Sequence, residues 1–434
     1  MAIQLQYSGT SATEALPVAL PLSKSIALRV LTLNALSRRL TGREAEIPAL
    51  PDAEDVAGML RAMRLYGSHG VASGRYTVHI GEGGAPLRFF LPLAASTPGI
   101  DMTVSAGLAL SRRPLAPLLA ALRDAGADLR PLRRPGRPPL RILGRSLSPG
   151  EIVMDPGVSS QFVSALMMAS PLWQHGLSLD FGGRTPVSAP YIGMTASLME
   201  QYGARIERTD SHIRVAAGNI TPPDRIEIET DWSAASYFYQ LALLLPDTPI
   251  PIGRLTPPGE SLQGDARCAE IFRSVGVATV IHPDGSATLL CDGAHLRRVI
   301  ESGTPLQFDM NATPDLVPAL AVGFCLAGIP FRFTGVAHLR HKETDRMSAP
   351  ATELARLGYR LRLEADAMSW EGERCAAEER PLIRTWSDHR MAMAFAPAAV
   401  RYPGLRIEHP KVTGKSFPRY WEMLSRLGFT ITPA

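Results

Sequence analysis

One pattern constrains this chain more than any other: a short amphipathic helix that runs into a glycine, often with a strand behind it, recurs six times. The instances are MLRAMRLYG, LLAALRDAGADL, ASLMEQYGARI, AEIFRSVGVATV, TELARLGYRL and EMLSRLGFTI, with their glycines at Gly67, Gly126, Gly203, Gly276, Gly358 and Gly428. Leu, Ile or Met recurs at helical spacing in each, and the glycine stands where a helix C-terminus needs a left-handed backbone. Successive glycines are 59 to 82 residues apart. One such unit says little in an α/β protein, but six at roughly even spacing predict a single α/β unit used six times. Short alternating runs at Tyr76–Ile80, Arg205–Ile206, Ile213–Ala216 and Arg225–Ile228 predict strands. Pro- and Gly-rich stretches at Arg130–Gly150 and Pro246–Glu260 predict loops.

With 434 residues the chain has room for two or three domains. No apolar run approaches the ~18 residues of a membrane helix. The first residues lack a basic segment leading into an apolar one, which speaks against a secretory signal. Four widely spaced cysteines, Cys268, Cys291, Cys325 and Cys375, form no CxxC pair. Neither a disulfide framework nor a zinc site is therefore expected, and the pattern suits a reducing cytoplasm. With 45 basic and 41 acidic residues, the net charge of +4 is too balanced for a non-specific nucleic-acid binder. Only four basic residues are lysine (Lys24, Lys342, Lys411 and Lys415) and the other 41 are arginine. Lysines that persist against such a bias are candidates for positions that need a compact ammonium.

Several predicted helices open on polar residues that plain capping does not require. Ser23 is a candidate N-cap, followed by Lys24 in the first turn, with Ser25 and Arg29 sharing a face. A cation in a first turn opposes the helix dipole unless an anion binds there too. Ser159, Ser160 and Gln161 precede the apolar run Phe162 to Ala169, and Thr185 to Tyr191, with Ser188, opens another helix. Pro314 and Asp315 open a fourth. Two segments are harder to read as solvated charge, because apolar helices follow them directly: His338 to Arg346, with Lys342 and Glu343, and Trp386 to Met393, with His389 and Arg390. Lys415 follows in HPKVTGKSFP. Paired Arg and Lys at helix starts suit a substrate with phosphate and carboxylate groups. Lys24, Asp315, Glu343 and His389 are the groups available to move protons. The glycine-rich segment from Gly81 to Arg88 matches neither nucleotide-binding motif, and no His/Cys/Glu spacing resembles a metal site.

These segments, in this order, resemble the 5-enolpyruvylshikimate-3-phosphate synthase family. The matching stretches are LSKSIALR, RPLAPLLAALRDAGA, SSQF, SAPYI, DWSAASY, NATPDLVPALA, RHKETDRM, SDHRMAM and PKVTGKSFPRYW, which span residues 21 to 421. KETDR with DHRMAM is the most specific pair. The resemblance implies an α/β, two-domain enolpyruvyl transferase fold, an inside-out α/β barrel with three βαβαββ-type repeats per domain. Residues 1–22 with 231–434 would form domain I and 23–230 domain II, with the active site in the interdomain cleft. The implied reaction transfers the enolpyruvyl group of phosphoenolpyruvate to the 5-hydroxyl of shikimate 3-phosphate and releases phosphate. No metal or organic cofactor is implied. The expected partners are these two small molecules alone, without nucleic acid or membrane, and the expected state is a cytoplasmic monomer.

By the same resemblance, Lys24, Asp315 and Glu343 are the expected catalytic residues. Lys24, Ser25, Arg29, Ser159, Ser160, Gln161, Ser188, Tyr191, Asp315, His338 and Lys342 would contact shikimate 3-phosphate. Lys24, Gly84, Arg113, Gln161, Arg346, His389, Arg390 and Lys415 would contact phosphoenolpyruvate. The chain departs from the family pattern in places. Glu82 and Ala85 stand where the family usually has an amide and a hydroxyl, His338 where Asn is frequent, and Ala189 where Lys is frequent. A Glu82 carboxylate beside a phosphate predicts weaker phosphoenolpyruvate binding, unless the side chain turns away or pairs with an arginine. UDP-N-acetylglucosamine enolpyruvyl transferases share the fold and chemistry and form an alternative, as does a catalytically inactive binding protein on the same fold.

Overall fold

Four stretches of the chain share one topology. In the first, strand Tyr76–His79 leads into helix Gly84–Ala95 and then into the parallel strand Asp101–Ser105, with Tyr76 opposite Met102. Helix Ala116–Asp124 follows, then strands Asp128–Pro131 and Leu140–Leu143. The last of these inserts antiparallel between its two neighbours. A parallel pair cannot be joined by a tight turn, so the helix is the crossover. Strands Glu151–Val153, Leu177–Asp180, Ile206–Arg208 and His212–Val215 repeat this order, as do Leu306–Asp309, Phe331–Thr334, Arg362–Leu363 and Ala367–Trp370. The fourth copy is permuted. Its strands Leu382–Ile383, Leu405–Glu408 and Phe429–Pro433 are completed by Ala2–Tyr7 from the start of the chain.

The two remaining units are reduced. Strands Ile250–Arg254, Val277–Ile281 and Ser286–Cys291 form a three-stranded sheet, and an isolated parallel bridge from Val18 to Ile252 stands in for the missing strand. Around helices Lys24–Thr41 and Glu54–Ser68 the sheet shrinks to a bridge between Glu46 and Arg225. The strand expected at Arg225–Ile228 is therefore a single bridge with two hydrogen bonds, Glu46 N–H to Asp224 O and Ile226 N–H to Glu46 O, each 2.9 Å.

The computed structural model describes residues 2–9, 16–68, 76–108, 110–113 and 115–434. The chain divides into two compact units, one of Met1–Leu22 with Glu229–Ala434 and the other of Ser23–Ile228. In the first unit, helices Trp232–Leu244 and Val317–Ala327 are apolar nearly all round and run through the core, where Trp232, Phe238 and Phe324 are fully buried. In the second, helices Gly84–Ala95 and Ser160–Ala169 do the same, with Phe90 and Leu166 fully buried. Each such side chain contributes about 1.5–3 kcal/mol of transfer free energy. Five of the six repeat glycines are left-handed, with φ from 78° to 98°. Gly67 is the exception, because its helix continues through it to Ser68. The stretch Arg130–Gly150, expected as a loop, contributes residues to strands Asp128–Pro131 and Leu140–Leu143.

Candidate active site

Every candidate residue lies where a strand hands over to a helix, or on the opening turns of helix Lys24–Thr41. Gly84, Ser160, Asp315 and His389 follow the first strand of their repeats. Arg113, Tyr191, Glu343 and Lys415 follow the second. This is the carboxyl end of a parallel pair, where helix N-termini point unpaired N–H groups outward and where α/β sheets bind ligands.

In the unit Ser23–Ile228, Ser23 caps helix Lys24–Thr41 by accepting from Ile26 N–H at 3.4 Å. Lys24 Nζ donates to Asp55 Oδ2 at 2.9 Å, a pair in which the Asp55 side chain is only 6% exposed. Asp55 also lies against Gly83, where an added Cβ would come within 2.8 Å of its Oδ1. Gly83 is the N-cap of helix Gly84–Ala95 and offers no side-chain cap. A Cβ on Gly84 would lie 2.7 Å from Arg113 Nη1. Lys24, Asp55, Gly83, Gly84 and Arg113 thus converge at one uncapped helix start, where a Cβ on Gly83 would crowd the Asp55 carboxylate and one on Gly84 the far end of the Arg113 side chain.

Glu82 is tied to the neighbouring turn. Its Oε2 accepts from Leu110 N–H at 2.8 Å, and its carboxylate fills the space where a Cβ on Gly107 would lie. Glu82 thereby ties the helix start to the 3₁₀ turn Leu110–Arg112, which precedes Arg113. Ser159 caps helix Ser160–Ala169, and Gln161 Oε1 accepts from Arg88 Nη1 at 2.5 Å, while the Arg88 guanidinium stacks over Phe162 at 4.9 Å. Ser188 is the N-cap of helix Ala189–Gln201, with φ 55° and no side-chain capping bond.

Arg29 departs most from a simple substrate contact. It is 2% exposed and lies over the Phe89 ring. Nε donates to Thr195 Oγ1 at 2.7 Å, Nη1 to Ser25 O at 2.9 Å, and Nη2 to Ser164 Oγ at 3.3 Å and Tyr191 O at 3.2 Å. Burial pushes its pKa down to about 10, so it stays charged at neutral pH while bracing Ser25 and Tyr191.

The unit Met1–Leu22 with Glu229–Ala434 holds the denser cluster. Arg346 is 2% exposed. Its Nε and Nη2 grip Asp388 at 2.7 and 3.1 Å, its Nη1 meets Asp315 Oδ1 at 2.8 Å, and its Nη2 also meets Glu343 Oε2 at 2.8 Å. Arg390 Nη2 donates to Asp315 Oδ2 at 2.7 Å and Nη1 reaches Tyr237 Oη at 3.4 Å. Lys415 Nζ lies 3.3 Å from Glu343 Oε1, and Lys342 Nζ lies 3.9 Å from Asp315 Oδ1. Asp388 caps helix His389–Phe395 and comes within 3.5 Å of His389 Nδ1. Burial pushes the Asp315 carboxyl up, but Arg390, Lys342 and Arg346 outweigh it and hold its pKa well below the usual carboxylate range. Burial, with Lys342 beside it, pushes His338 down to about 4, so His338 is neutral at physiological pH. His338 Nε2 is buried with no hydrogen-bond partner among the described residues. Burial also lowers the Lys342 pKa.

The residues that sequence reasoning missed are mostly carboxylates behind the cations. Asp55 sits behind Lys24 and Asp388 behind Arg346. Asp265, nearly fully buried, accepts from Ser233 Oγ, and burial followed by the Asp315 charge pushes it up to about 6. Asp55 had a faint signal as an acidic residue in a helix first turn, whereas Asp265 had none. Among the described residues no group of three or more His, Cys, Asp or Glu could hold a metal ion, and no helix is long and apolar enough to cross a membrane.

Repeated α/β units that present helix starts and arginine-carboxylate clusters at the carboxyl ends of their strands define a class, the enolpyruvyl transferase fold. A structure titled as the enolpyruvyl transferase NikO from Streptomyces tendae superposes with a TM-score of 0.70, at 16% identity over 99% of this chain and 98% of that one. EPSP synthase from Acinetobacter baumannii superposes with a TM-score of 0.72, at 20% identity over all of both chains. The sequence model of EPSP synthase (3-phosphoshikimate 1-carboxyvinyltransferase) matches residues 15–424. A Bacteroides fragilis 3-phosphoshikimate 1-carboxyvinyltransferase is 40% identical over 419 residues, 95% of either chain. One from Bordetella pertussis is 35% identical over 94% of this chain and 95% of its own. The chain belongs to the EPSP synthase family.

Proposed function

We propose that the chain transfers the carboxyvinyl group of phosphoenolpyruvate to the 5-hydroxyl of shikimate 3-phosphate and releases phosphate. Its membership of the EPSP synthase family supports the reaction. The single observation that carries the chemistry is the Asp315 cluster, where a carboxylate is held ionised by Arg346 and Arg390 beside Glu343 and Lys415. Replacing phosphate at a vinyl carbon requires addition and then elimination. The 5-oxygen bonds to the carbon that bears phosphate, and the methylene takes a proton. Phosphate then leaves as the new methyl loses a proton. Asp315, ionised at neutral pH, is the base for the hydroxyl proton. Glu343, steered by Arg346 and Lys415, serves the methylene.

Arg346, Arg390, His389 and Lys415 would hold the carboxylate and phosphate of phosphoenolpyruvate, as would Lys24, Gln161 and Arg113 with the uncapped helix start at Gly84. Ser25, Ser159, Ser160, Gln161, Ser188, Tyr191, His338 and Lys342 would meet shikimate 3-phosphate, and Arg29 would set the positions of Ser25 and Tyr191. The proposed enzyme works as a cofactor-free monomer, with residues 23–230 and the remainder as its two domains. Its free cysteines suit a reducing cytoplasm. Phosphate release assayed with both substrates tests the reaction. Release that needs both is expected; none with shikimate 3-phosphate, but release with UDP-N-acetylglucosamine, would overturn it.

A further inference from the structure

A strained turn stands directly before the helix that carries His389 and Arg390. Asp388 N–H donates to Thr385 O at 2.8 Å, closing a four-residue turn. Its two central residues, Trp386 and Ser387, both lie in the left-handed region, with φ of 53° and 57°. Two positive φ values define the type I′ geometry, which favours Gly, Asn and Asp. Neither Trp nor Ser prefers it, so the turn persists only if its surroundings hold it. What holds it is one carboxylate. Glu353 is fully buried. Its Oε1 accepts from Trp386 Nε1–H at 2.9 Å, and its Oε2 accepts from Arg384 N–H at 3.1 Å and lies 3.1 Å from Arg356 Nε.

Glu353 belongs to helix Ser348–Arg356, which starts two residues after Arg346. The turn ends on Asp388, which is fully buried, grips Arg346 with both oxygens and caps the helix of Arg390. One side chain therefore ties the segment downstream of Glu343 and Arg346 to the segment upstream of Asp388 and Arg390. We propose that Glu353, acting through the Trp386 indole and the turn Thr385–Asp388, is a positioning residue that fixes the Asp388 clamp and so aims Arg346 and Arg390 at the anionic groups of phosphoenolpyruvate. This rests on the reading of those two arginines as phosphoenolpyruvate residues.

The test is Trp386→Phe with Glu353→Gln and the double variant, measured on the full chain. Trp386 is 42% exposed, so phenylalanine removes the Nε1–H donor with little loss of packing, and the variant should fold. The expected result for Trp386→Phe is a phosphoenolpyruvate KM raised about tenfold, with the shikimate 3-phosphate KM within about twofold and an unchanged melting temperature. If Trp386 acts through Glu353, the loss in the double variant should be smaller than the sum of the two single losses. A phosphoenolpyruvate KM within about twofold of the parent, or equal rises in both KM values with a lowered melting temperature, would overturn the proposal. Failure of the parent chain to turn over the two substrates would instead overturn the underlying reading.

Discussion

Arg346→Lys should destabilise the unit that contains it and stop turnover together. The Arg346 guanidinium is almost fully buried and serves Asp388, Asp315 and Glu343 at 2.7 to 3.1 Å. An ammonium is a point charge without the fork, so it cannot reach three carboxylates that surround different nitrogens. Asp388, fully buried, would lose its main partner. Removing one partner of a buried ion pair costs about 3–5 kcal/mol. In a domain of this size each kcal/mol moves the melting temperature by about 2–4 °C, so a fall of about 6–20 °C is expected near neutral pH. The pH dependence has a fixed sign. Asp315 titrates near about 4 when unfolded and well below that when folded. Its stabilisation is therefore fully present above the unfolded value and fades as pH falls through the folded one. Arg346→Lys removes part of the cause, so the gap in melting temperature should be widest near neutrality and narrow below about pH 4. Thermal melts across that range, with phosphate release at neutral pH, decide it. A variant melting within about 2 °C of the parent at neutral pH, or a gap that widens on acidification, would refute the reasoning.

Lys24→Arg should lower kcat/KM by about tenfold or more, because the fork cannot occupy the ammonium's place between Asp55 and an anion; near-parental steady-state kinetics would contradict this. Gly84→Ala should raise the phosphoenolpyruvate KM by about tenfold while shifting stability by less than about 1 kcal/mol, since the atoms nearest the new Cβ are the far end of the Arg113 side chain. An unchanged KM would remove Gly84 and Arg113 from that site. Glu343→Gln should lower kcat by about a hundredfold or more while shikimate 3-phosphate binding, measured by calorimetry, stays within about threefold; a binding loss with kcat intact would contradict the proton-handling role.

The repeat was legible because it is a local signal. Helical spacing of Leu, Ile and Met and a glycine at the helix end depend on a dozen residues and on backbone sterics, and five of the six glycines adopt the left-handed φ they foretold. What failed depends on a partner distant in sequence. Arg225–Ile228 alternates like a strand but, among the described residues, finds only Glu46 to pair with, and alternation cannot report the absence of a neighbour. The permuted sheet is a similar case. Nothing in Ala2–Tyr7 announces that it pairs with Leu405–Glu408, some 400 residues away.

In the site, the cations were legible and their counterparts were not, for a physical reason. Lys24, Arg346 and Arg390 stand at helix starts, where a positive charge is unexpected and so conspicuous. Asp55 and Asp388 stand at helix starts as well, but there an acid is ordinary and draws no notice. Only the fold shows that each holds a cation in place. Glu82 makes the same point in reverse. Read by resemblance, its charge stood beside a phosphate. In the structure that carboxylate accepts from Leu110 N–H, so the acid in the glycine-rich segment fastens the turn before Arg113. In this protein the acids set where the cations sit, and the cations set where an anionic substrate can bind. Legibility from sequence therefore ends at the first of those two layers.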